Sequence, residues 1–181
     1  MLRSLAVLAL AAVASAADKP DQAGFTPLLG NDLTGWKVAP TKDKDKAGDP
    51  LAGKTATPTK RFVLADGVLT IDPKVKGDIS ITTEQKWAGD AHIKFDFKPG
   101  KGCNNDLYFR GIKFDIKPGD IKPCKVDEWN AFEFVVTGNE AEVRCNGESV
   151  KKLKAKPGAT AFSIRAEGGP IQFKNLRMKA K

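Results

Sequence analysis

Residues 91–98, Ala-His-Ile-Lys-Phe-Asp-Phe-Lys, decide the fold class, because apolar and polar side chains alternate at every position. A period of two is typical of a β-strand that buries one face and exposes the other to solvent. The same period recurs from Arg61 to the C-terminus in short segments, with turn residues about every eight to twelve positions. No stretch of helical spacing interrupts this series. The sequence therefore predicts an all-β protein, built as a sandwich, a barrel or a jelly roll.

Two dipeptides mark tight turns between neighbouring segments of this series. Asp66-Gly67 lies between the apolar segments 62–64 and 68–71, and Asn146-Gly147 follows the segment 141–145. Both dipeptides favour the two-residue turns of β-hairpins. We therefore expect the flanking segments to pair as antiparallel strands.

The first sixteen residues, MLRSLAVLALAAVASA, have the features of a cleavable signal peptide. Arg3 precedes an apolar run of about ten residues, and Ala14-Ser15-Ala16 matches the small-x-small pattern of a signal peptidase site. We therefore expect cleavage after Ala16 and a secreted or periplasmic protein. The apolar run is too short to cross a bilayer, so no membrane span is expected.

The remainder of the chain is expected to form one domain. Residues 17–23 are predicted to be a polar N-terminal arm, and residues 24–181 have a length that suits a single domain with a hydrophobic core. Residues 41–60 are rich in Lys, Asp, Thr, Gly and Pro, which predicts a long surface loop. A monomer is expected.

The charge balance of the chain restricts its partners. The 181 residues include 30 Lys and Arg against 22 Asp and Glu, a formal net charge of +8. The lysines are spread along the chain and alternate with apolar residues, which is typical of the solvated faces of strands. No helix-turn-helix, P-loop or RNA-binding aromatic motif is present, so we expect no nucleic-acid partner. Association with a polyanion or an envelope surface remains an alternative that the charge alone leaves open.

The cysteines and the single histidine bear on covalent and metal chemistry. The three cysteines are Cys103, Cys124 and Cys145, and export would permit a disulfide. We favour a Cys103–Cys124 pair, because Cys145 lies on the core-facing parity of its strand and is interpreted as a buried free thiol. With His92 as the sole histidine and no closely spaced cysteine pair, neither a metal nor another cofactor is expected.

The strand around Asn104–Arg110 carries the candidate site. Asn104, Asp106, Tyr108 and Arg110 share one parity and therefore one face, whereas the alternate residues Leu107 and Phe109 are apolar. Asp106 and Arg110 are about 13 Å apart along an extended strand, so they must find partners elsewhere. A polar face that includes an aromatic ring suits a sugar. An ordinary solvated sheet face with cross-strand pairs explains the pattern equally well.

Two further titratable residues are weaker candidates. Glu167 directly precedes Gly168-Gly169-Pro170, and an acid on a sharp turn at a strand end suits catalysis, although a turn acid is usually only solvated. His92 lies on the polar parity of its strand, where it is either a base or simply an exposed side chain. No Gly-x-Ser-x-Gly motif is present, so the sequence gives no sign of a serine-centred triad.

Several motifs resemble, in their order and spacing, those of one family. The domain opens with GFTPLLGNDLTGW at residues 24–36 and continues with NNDLYFR at 104–110. It then has WN at 129–130 and NG at 146–147, and closes with EGGPIQFKNLR at 167–177. Together these segments are similar to the 3-keto-disaccharide hydrolase domain family over nearly all of residues 24–179. The resemblance implies a concanavalin A-like jelly roll of two antiparallel sheets that is exported and acts on a carbohydrate or an oxidised glycoside.

The resemblance also implies a chemistry, since the substrate class of the family is sugar oxidised at C3. A C3 ketone acidifies the proton on C2, so a base can remove that proton and expel the group at C1, with water added afterwards. Such a site needs a base, a cation or donor for the enolate oxygen, and an acid for the leaving group. In this hypothesis Asp106 or Glu167 is the base, Arg110 stabilises the enolate and Tyr108 is a donor.

The remaining candidates for contact with the sugar are Asn104, Asn105, Tyr108, Asp115 and His92. The family motif itself carries over only Asn104, Arg110 and the turn at 167–170. This chain has Asn105-Asp106 where Ser-Gly is usual in the family, and Asp115 is the nearest acid after Arg110. A non-catalytic carbohydrate-binding module on the same fold is therefore the alternative to an enzyme.

Overall fold

The computed structural model describes residues 24–39 and 48–181, and its described part is built almost entirely from β-strands. The strands are β1 (Thr26–Pro27), β2 (Trp36–Val38), β3 (Phe62–Ala65), β4 (Val68–Ile71), β5 (Ser80–Thr83), β6 (Ala91–Pro99), β7 (Asn104–Phe109), β8 (Ile112–Ile116), β9 (Asn130–Thr137), β10 (Glu140–Cys145), β11 (Glu148–Lys154), β12 (Ser163–Gly168) and β13 (Ile171–Ala180). A short 3₁₀ turn at Pro118–Asp120 lies between β8 and β9. No helix in the described ranges is long and apolar enough to cross a membrane.

The strands form two antiparallel sheets. The eight-stranded sheet has the order β11-β10-β9-β6-β13-β4-β3, and β1 pairs with β13. The five-stranded sheet has the order β2-β5-β12-β7-β8. In each sheet, some neighbouring strands are consecutive hairpin partners and others are far apart in the chain. The architecture is therefore a two-sheet antiparallel jelly-roll sandwich, and the predicted all-β fold is confirmed.

The core lies between the inner faces of the two sheets. In β6 the odd-numbered residues are buried and the even-numbered ones are half-buried, as the alternation in residues 91–98 predicts. Phe95 stacks on Phe132 of the adjacent strand with ring centroids 4.6 Å apart. From the five-stranded sheet, Phe109 meets Phe134 of the opposite sheet edge-on at 6.2 Å. Such aromatic contacts add to the burial of apolar area that holds the two layers together.

The two predicted hairpin turns are present. Asp66 and Gly67 have φ values of 51° and 73° and connect β3 to β4, while Asn146 and Gly147 have φ values of 51° and 85° and connect β10 to β11. Positive φ at both central residues is what a type I′ hairpin turn requires, and Asn, Asp and Gly tolerate it best.

The predicted long surface loop at 41–60 is only partly a surface feature. Residues 41–47 lie outside the described residues, as do the predicted signal peptide and the arm at 17–23. In the described remainder, the side chains of Leu51 and Thr57 are buried, and Ala56 forms a β-bridge with Val63. A segment that contributes Leu51 to the core is anchored to the sandwich, so residues 48–60 are not a purely exposed loop.

The favoured Cys103–Cys124 disulfide is not formed in the structure, where all three cysteines are free thiols. The Cys103 sulfur instead accepts a hydrogen bond from Asn105 Nδ2 at 3.3 Å and donates one to the Ile116 carbonyl at 3.4 Å. Cys145 is fully buried, as its parity predicts.

Candidate functional site

The outer face of the five-stranded sheet carries a row of charged side chains. Across the sheet, Asp106 of β7 lies opposite Arg165 of β12 on one side and opposite Asp115 of β8 on the other. Alternate residues of β7, Leu107 and Phe109, are buried in the core, so Asp106 belongs to the outward parity. We call the following residues the charged cluster: Asp106, Tyr108, Lys113, Asp115, Arg165 and Glu167.

Asp106 is the centre of the charged cluster, and its side chain has 0% exposure. Its Oδ2 accepts a hydrogen bond from the Tyr108 hydroxyl at 3.0 Å and lies 3.6 Å from Arg165 Nη1. Its Oδ1 is buried and forms an ion pair with Lys113 Nζ at 3.4 Å, but it accepts no well-aligned hydrogen bond from the described residues. A buried carboxyl oxygen without a well-aligned hydrogen bond is costly in a folded protein, and such groups call for a functional explanation.

Lys113 lies among three carboxyl groups. Its Nζ is 2.7 Å from Asp115 Oδ1 and 4.0 Å from Glu167 Oε2, in addition to its contact with Asp106. Lys113 and Asp115 are both about half exposed, with side-chain exposures of 46% and 52%. The cation is therefore both accessible to a ligand and held in place by its neighbours.

The environment separates the pKa values of the two aspartates. Burial, together with the adjoining carboxyl groups of Asp115 and Glu167, raises the pKa of Asp106 to about 6 against the opposing effects of Tyr108 and Lys113. The hydrogen bond from Lys113 lowers the pKa of Asp115 below its ordinary value, and the same bond raises the pKa of Lys113. Two carboxyl groups with opposed shifts are the arrangement that acid–base catalysis uses.

Glu167 joins the charged cluster through an irregularity in β12. The register between β12 and β7 shifts after Arg165, so that Gly168 lies opposite Asn104. Asn105 holds this bulge: its Oδ1 accepts a hydrogen bond from Glu167 N at 3.0 Å, and its Nδ2 donates to the Gly168 carbonyl at 2.9 Å. Gly169 follows with φ 67°, where a Cβ would lie 2.4 Å from the Gly102 carbonyl oxygen, so the turn requires glycine.

Asn105→Ala is expected to lower the free energy of unfolding by about 2–3 kcal/mol, because the Glu167 N–H and the Gly168 carbonyl lose their buried partner. Urea denaturation monitored by tryptophan fluorescence measures the change. The matched control Asn31→Ala removes an exposed asparagine and should alter stability by less than about 0.5 kcal/mol. Equal stability of the two variants would show that Asn105 does not hold the bulge.

The structure brings together four of the residues singled out in the sequence: Asp106, Tyr108, Asp115 and Glu167. Asn104 lies two residues before Asp106 on the same face of β7 and is half-buried. Asn105 has the opposite parity and is buried towards the core, so it positions Glu167 instead of facing a ligand. His92 lies on the outer face of the other sheet, where its Nε2 is 2.7 Å from Glu133 Oε2. His92 is therefore remote in the fold from the charged cluster.

Arg110 lies outside the charged cluster, which corrects its expected place on the same face as Asp106. It follows β7 with φ 50°, so the alternation of the strand does not extend to it. Arg110 is 3% exposed. Its guanidinium donates hydrogen bonds to the backbone carbonyls of Lys156 and Gly89, each at 2.7 Å, and to that of Ala88. A guanidinium with three carbonyl partners has a structural role.

Sequence reasoning missed the two cations of the charged cluster, Lys113 and Arg165. Each lies two positions before an acid on its own strand, Lys113 before Asp115 and Arg165 before Glu167. This spacing of opposite charges on one parity was a usable signal. What the sequence did not contain was the register that sets β8 and β12 on either side of β7.

Comparison with known proteins identifies the family through a family model and the fold through solved structures. A family model described as a 3-keto-alpha-glucoside-1,2-lyase-like domain matches residues 24–121 and 112–179. Among curated proteins no sequence gives a significant match. Two crystal structures of candidate glycosyl hydrolases from Parabacteroides distasonis are similar in fold, with TM-scores of 0.67 and 0.63 at 17% and 16% identity. They cover 90% and 87% of this chain, which in turn covers 97% and 99% of theirs.

A third similar structure is the exoplasmic/lumenal domain of VIP36 in a Ca²⁺- and Man3GlcNAc-bound form, with a TM-score of 0.52 and 10% identity. It covers 67% of this chain, which covers 81% of that domain. At such low identities these likenesses concern the fold alone, that of a two-sheet jelly roll. The family match spans nearly the whole described domain, and the chain belongs to the family of 3-keto-alpha-glucoside-1,2-lyase-like domains.

Proposed function

We propose that the charged cluster binds a glycoside oxidised at C3 and cleaves its glycosidic bond by elimination. The observation that carries the proposal is the Asp106 carboxyl, which is buried, has no well-aligned hydrogen bond at Oδ1 among the described residues, and lies between the cations Lys113 and Arg165. The description of the family, a 1,2-lyase-like domain for 3-keto-alpha-glucosides, supports the same chemistry. Export, predicted from residues 1–16, is part of the proposal and places the protein where it meets external sugars.

The reaction requires a base, an electrophilic partner for the ketone and a proton for the leaving group. A base removes the proton from C2, and the electrons of the C2–H bond delocalise onto the C3 ketone oxygen as an enolate. The enolate then collapses to form the C1–C2 double bond while the C1–O bond breaks, and the leaving oxygen takes up a proton. Water added across the double bond completes a net hydrolysis. Fixed cations near the enolate oxygen lower the barrier most, because charge develops there.

Asp106 is the base in this proposal. Its raised pKa of about 6 leaves it ionised at neutral pH and still basic enough to accept a proton. Tyr108 holds Oδ2, which fixes the carboxylate and leaves Oδ1 for the substrate. Lys113 lies over Oδ1 and is half exposed, so its ammonium turns to the ketone oxygen as the substrate enters and opens the path to Asp106.

In this proposal Arg165 stabilises the enolate, the role that the sequence-based hypothesis gave to Arg110. It is 38% exposed and lies 3.6 Å from Asp106, so it faces the same substrate as the base. Glu167, at 37% exposure on the rim of the charged cluster, binds sugar hydroxyls or delivers the proton to the leaving oxygen. Both acids of the original hypothesis therefore remain, with different roles.

One observation favours the alternative of a sugar-binding module. The Asp106 side chain has no exposed area, whereas the charged side chains around it, those of Lys113, Asp115, Arg165 and Glu167, are between 37% and 52% exposed and accessible to a ligand. A sugar bound to these residues alone would be held without turnover. Activity measurements distinguish the two functions.

The decisive experiment incubates the purified protein with 3-keto-glycosides beside their unoxidised parents and follows release of the aglycone. We expect release from the keto sugars alone. Glu142→Gln is the matched control, since it removes an acid from an ion pair with Arg144 on the outer face of the other sheet and should leave the rate unchanged. Binding of the keto sugar by calorimetry without release would establish the binding module, and release from unoxidised parents would exclude the elimination.

A further inference from the structure

The connection between β8 and β9 brings Cys124 close to the end of β10, where Cys145 lies. Asn146 Nδ2 donates to the Pro123 carbonyl at 2.7 Å and contacts Asn130 Oδ1 at 2.9 Å. Lys125 N in turn donates to the same Asn130 Oδ1 at 2.8 Å. The residues on either side of Cys124 are thus tied to the residue that follows Cys145, which holds the two cysteines next to each other.

The sulfur atoms make different contacts. A side-chain interaction between Cys124 and Cys145 opposes the rise in the pKa of Cys124 and adds to the rise in the pKa of Cys145, so the two thiols lie within reach of each other. Cys103 is close enough to Cys124 for their charges to interact, but its sulfur is already hydrogen-bonded to Asn105 and to the Ile116 carbonyl. The preferred neighbour of Cys124 is therefore Cys145.

Cys124 is also the thiol that a soluble oxidant can reach. It is half-buried and lines an open cleft together with Lys122, Lys125 and Trp129, whereas Cys103 and Cys145 are buried. Lys122 and Lys125 outnumber Glu148, the acid in the same lining, and favour an anionic disulfide reagent at this cleft.

From these contacts we infer that Cys124 and Cys145 form an intramolecular disulfide when the protein meets an oxidised thiol compound such as glutathione disulfide, and that Cys103 remains a thiol. This pairing differs from the Cys103–Cys124 pair that the sequence favoured. It is independent of the carbohydrate chemistry, because the charged cluster contains no cysteine.

The oxidation is a two-step exchange in which atoms and electrons balance. The Cys124 thiolate attacks one sulfur of glutathione disulfide, whose S–S bond breaks and releases one glutathione thiolate. The Cys145 thiolate then attacks the Cys124 sulfur of the mixed disulfide and displaces the second glutathione. The two protein thiols lose two protons and two electrons, and glutathione disulfide takes these up and becomes two molecules of glutathione. Since burial raises the pKa of all three thiols, to about 11 for Cys103 and about 12 for Cys145, the exchange should accelerate as the pH rises above neutrality.

The bond closes a loop of about twenty residues that contains β9 and β10. In the chain-entropy model such a constraint stabilises the folded state by restricting the unfolded chain. We expect the oxidised protein to melt about 5–10 °C above the reduced protein.

Peptide mapping tests the pairing directly, because trypsin places the three cysteines in separate peptides, 102–110, 114–125 and 145–151. The full protein is equilibrated with glutathione disulfide, alkylated under acid quench and digested without reduction. We expect a cross-linked pair of the peptides 114–125 and 145–151, with an alkylated peptide 102–110. A cross-link between 102–110 and 114–125, a stable glutathione adduct on Cys124, or full alkylation of all three peptides would each overturn the inference.

Three variants that each replace one cysteine test the same pairing separately, so that the result does not depend on one substitution. Cys103→Ser should retain the cross-link and the rise in melting temperature, since serine preserves the hydrogen bonds to Asn105 and Ile116. Cys124→Ser, at the half-buried position, and Cys145→Ala, in the core, should each lose both. If Cys103→Ser instead abolishes the rise in melting temperature, the inference is wrong.

Discussion

Asp106→Asn is expected to reduce cleavage of 3-keto-glycosides by about 10²- to 10⁴-fold, the contribution that a positioned general base makes. Asparagine keeps the shape of the side chain and can accept the Tyr108 hydrogen bond, but it cannot take up the C2 proton. The loss should appear in kcat, because sugar contacts with Glu167 and Arg165 are unchanged. The measurement is aglycone release by the variant and the parent protein under saturating substrate.

The pH dependence identifies Asp106 more sharply than the loss of rate. The parent protein should show kcat/KM rising with pH through about 6, as the Asp106 carboxyl ionises. The residual activity of the variant should lack this rise. A variant that retains both the rate and the acidic limb would place the base elsewhere, with Glu167 as the next candidate.

The same substitution should stabilise the fold at neutral pH. The pKa of Asp106 is higher in the folded protein than in the unfolded chain, so between about pH 4 and 6 the folded state binds more protons and stability falls as the pH rises. At pH 7 the ionised buried carboxyl is a net cost that asparagine avoids, and we expect a gain of about 1–3 kcal/mol that disappears below about pH 4. A variant that is inactive and more stable cannot owe its inactivity to misfolding.

The sheets themselves were predictable because their signal is local. The alternation in residues 91–98 is a property of one strand, and Asp66-Gly67 is a property of one turn, so each could be interpreted without knowing its neighbours. Burial then selects which parity faces the core, since a one-residue slip would move all the aromatic rings of β6 into solvent.

The charged cluster was only partly predictable because it depends on pairs of strands that are far apart in sequence. Asp106 and Tyr108 could be assigned to one face from β7 alone, but their contact with Arg165 requires β12 to pair with β7. The parity of Asn105 places it on the core side with Leu107 and Phe109, but its backbone partners at the Glu167 bulge could not be inferred from β7 alone. Long-range register is decided by the global packing of the sandwich, which a single sequence does not display.

Arg110 could not be placed from the alternation of β7, because the strand ends at Phe109. Replacing Arg110 should have a large effect on stability. Arg110→Ala should lower the free energy of unfolding by about 2–4 kcal/mol, because three carbonyls, those of Ala88, Gly89 and Lys156, lose a charged donor. Urea denaturation measures the loss. Arg144→Ala, which removes a 43% exposed arginine from a surface ion pair, is the matched control and should cost less than about 1 kcal/mol.

The catalytic and structural roles of Arg110 give opposite results when stability and activity are measured together. A clamp between the β7–β8 turn and the segments before β6 and after β11 stabilises the folded state and touches no substrate. Arg110→Ala should then keep most of its turnover when assayed well below its lowered melting temperature, and Arg110→Lys, which retains the charge but not the fork of donors, should lie between the two in stability. An Arg110→Ala protein with parental stability and no turnover would return Arg110 to the site, and the proposal that Arg165 faces the enolate would then be withdrawn.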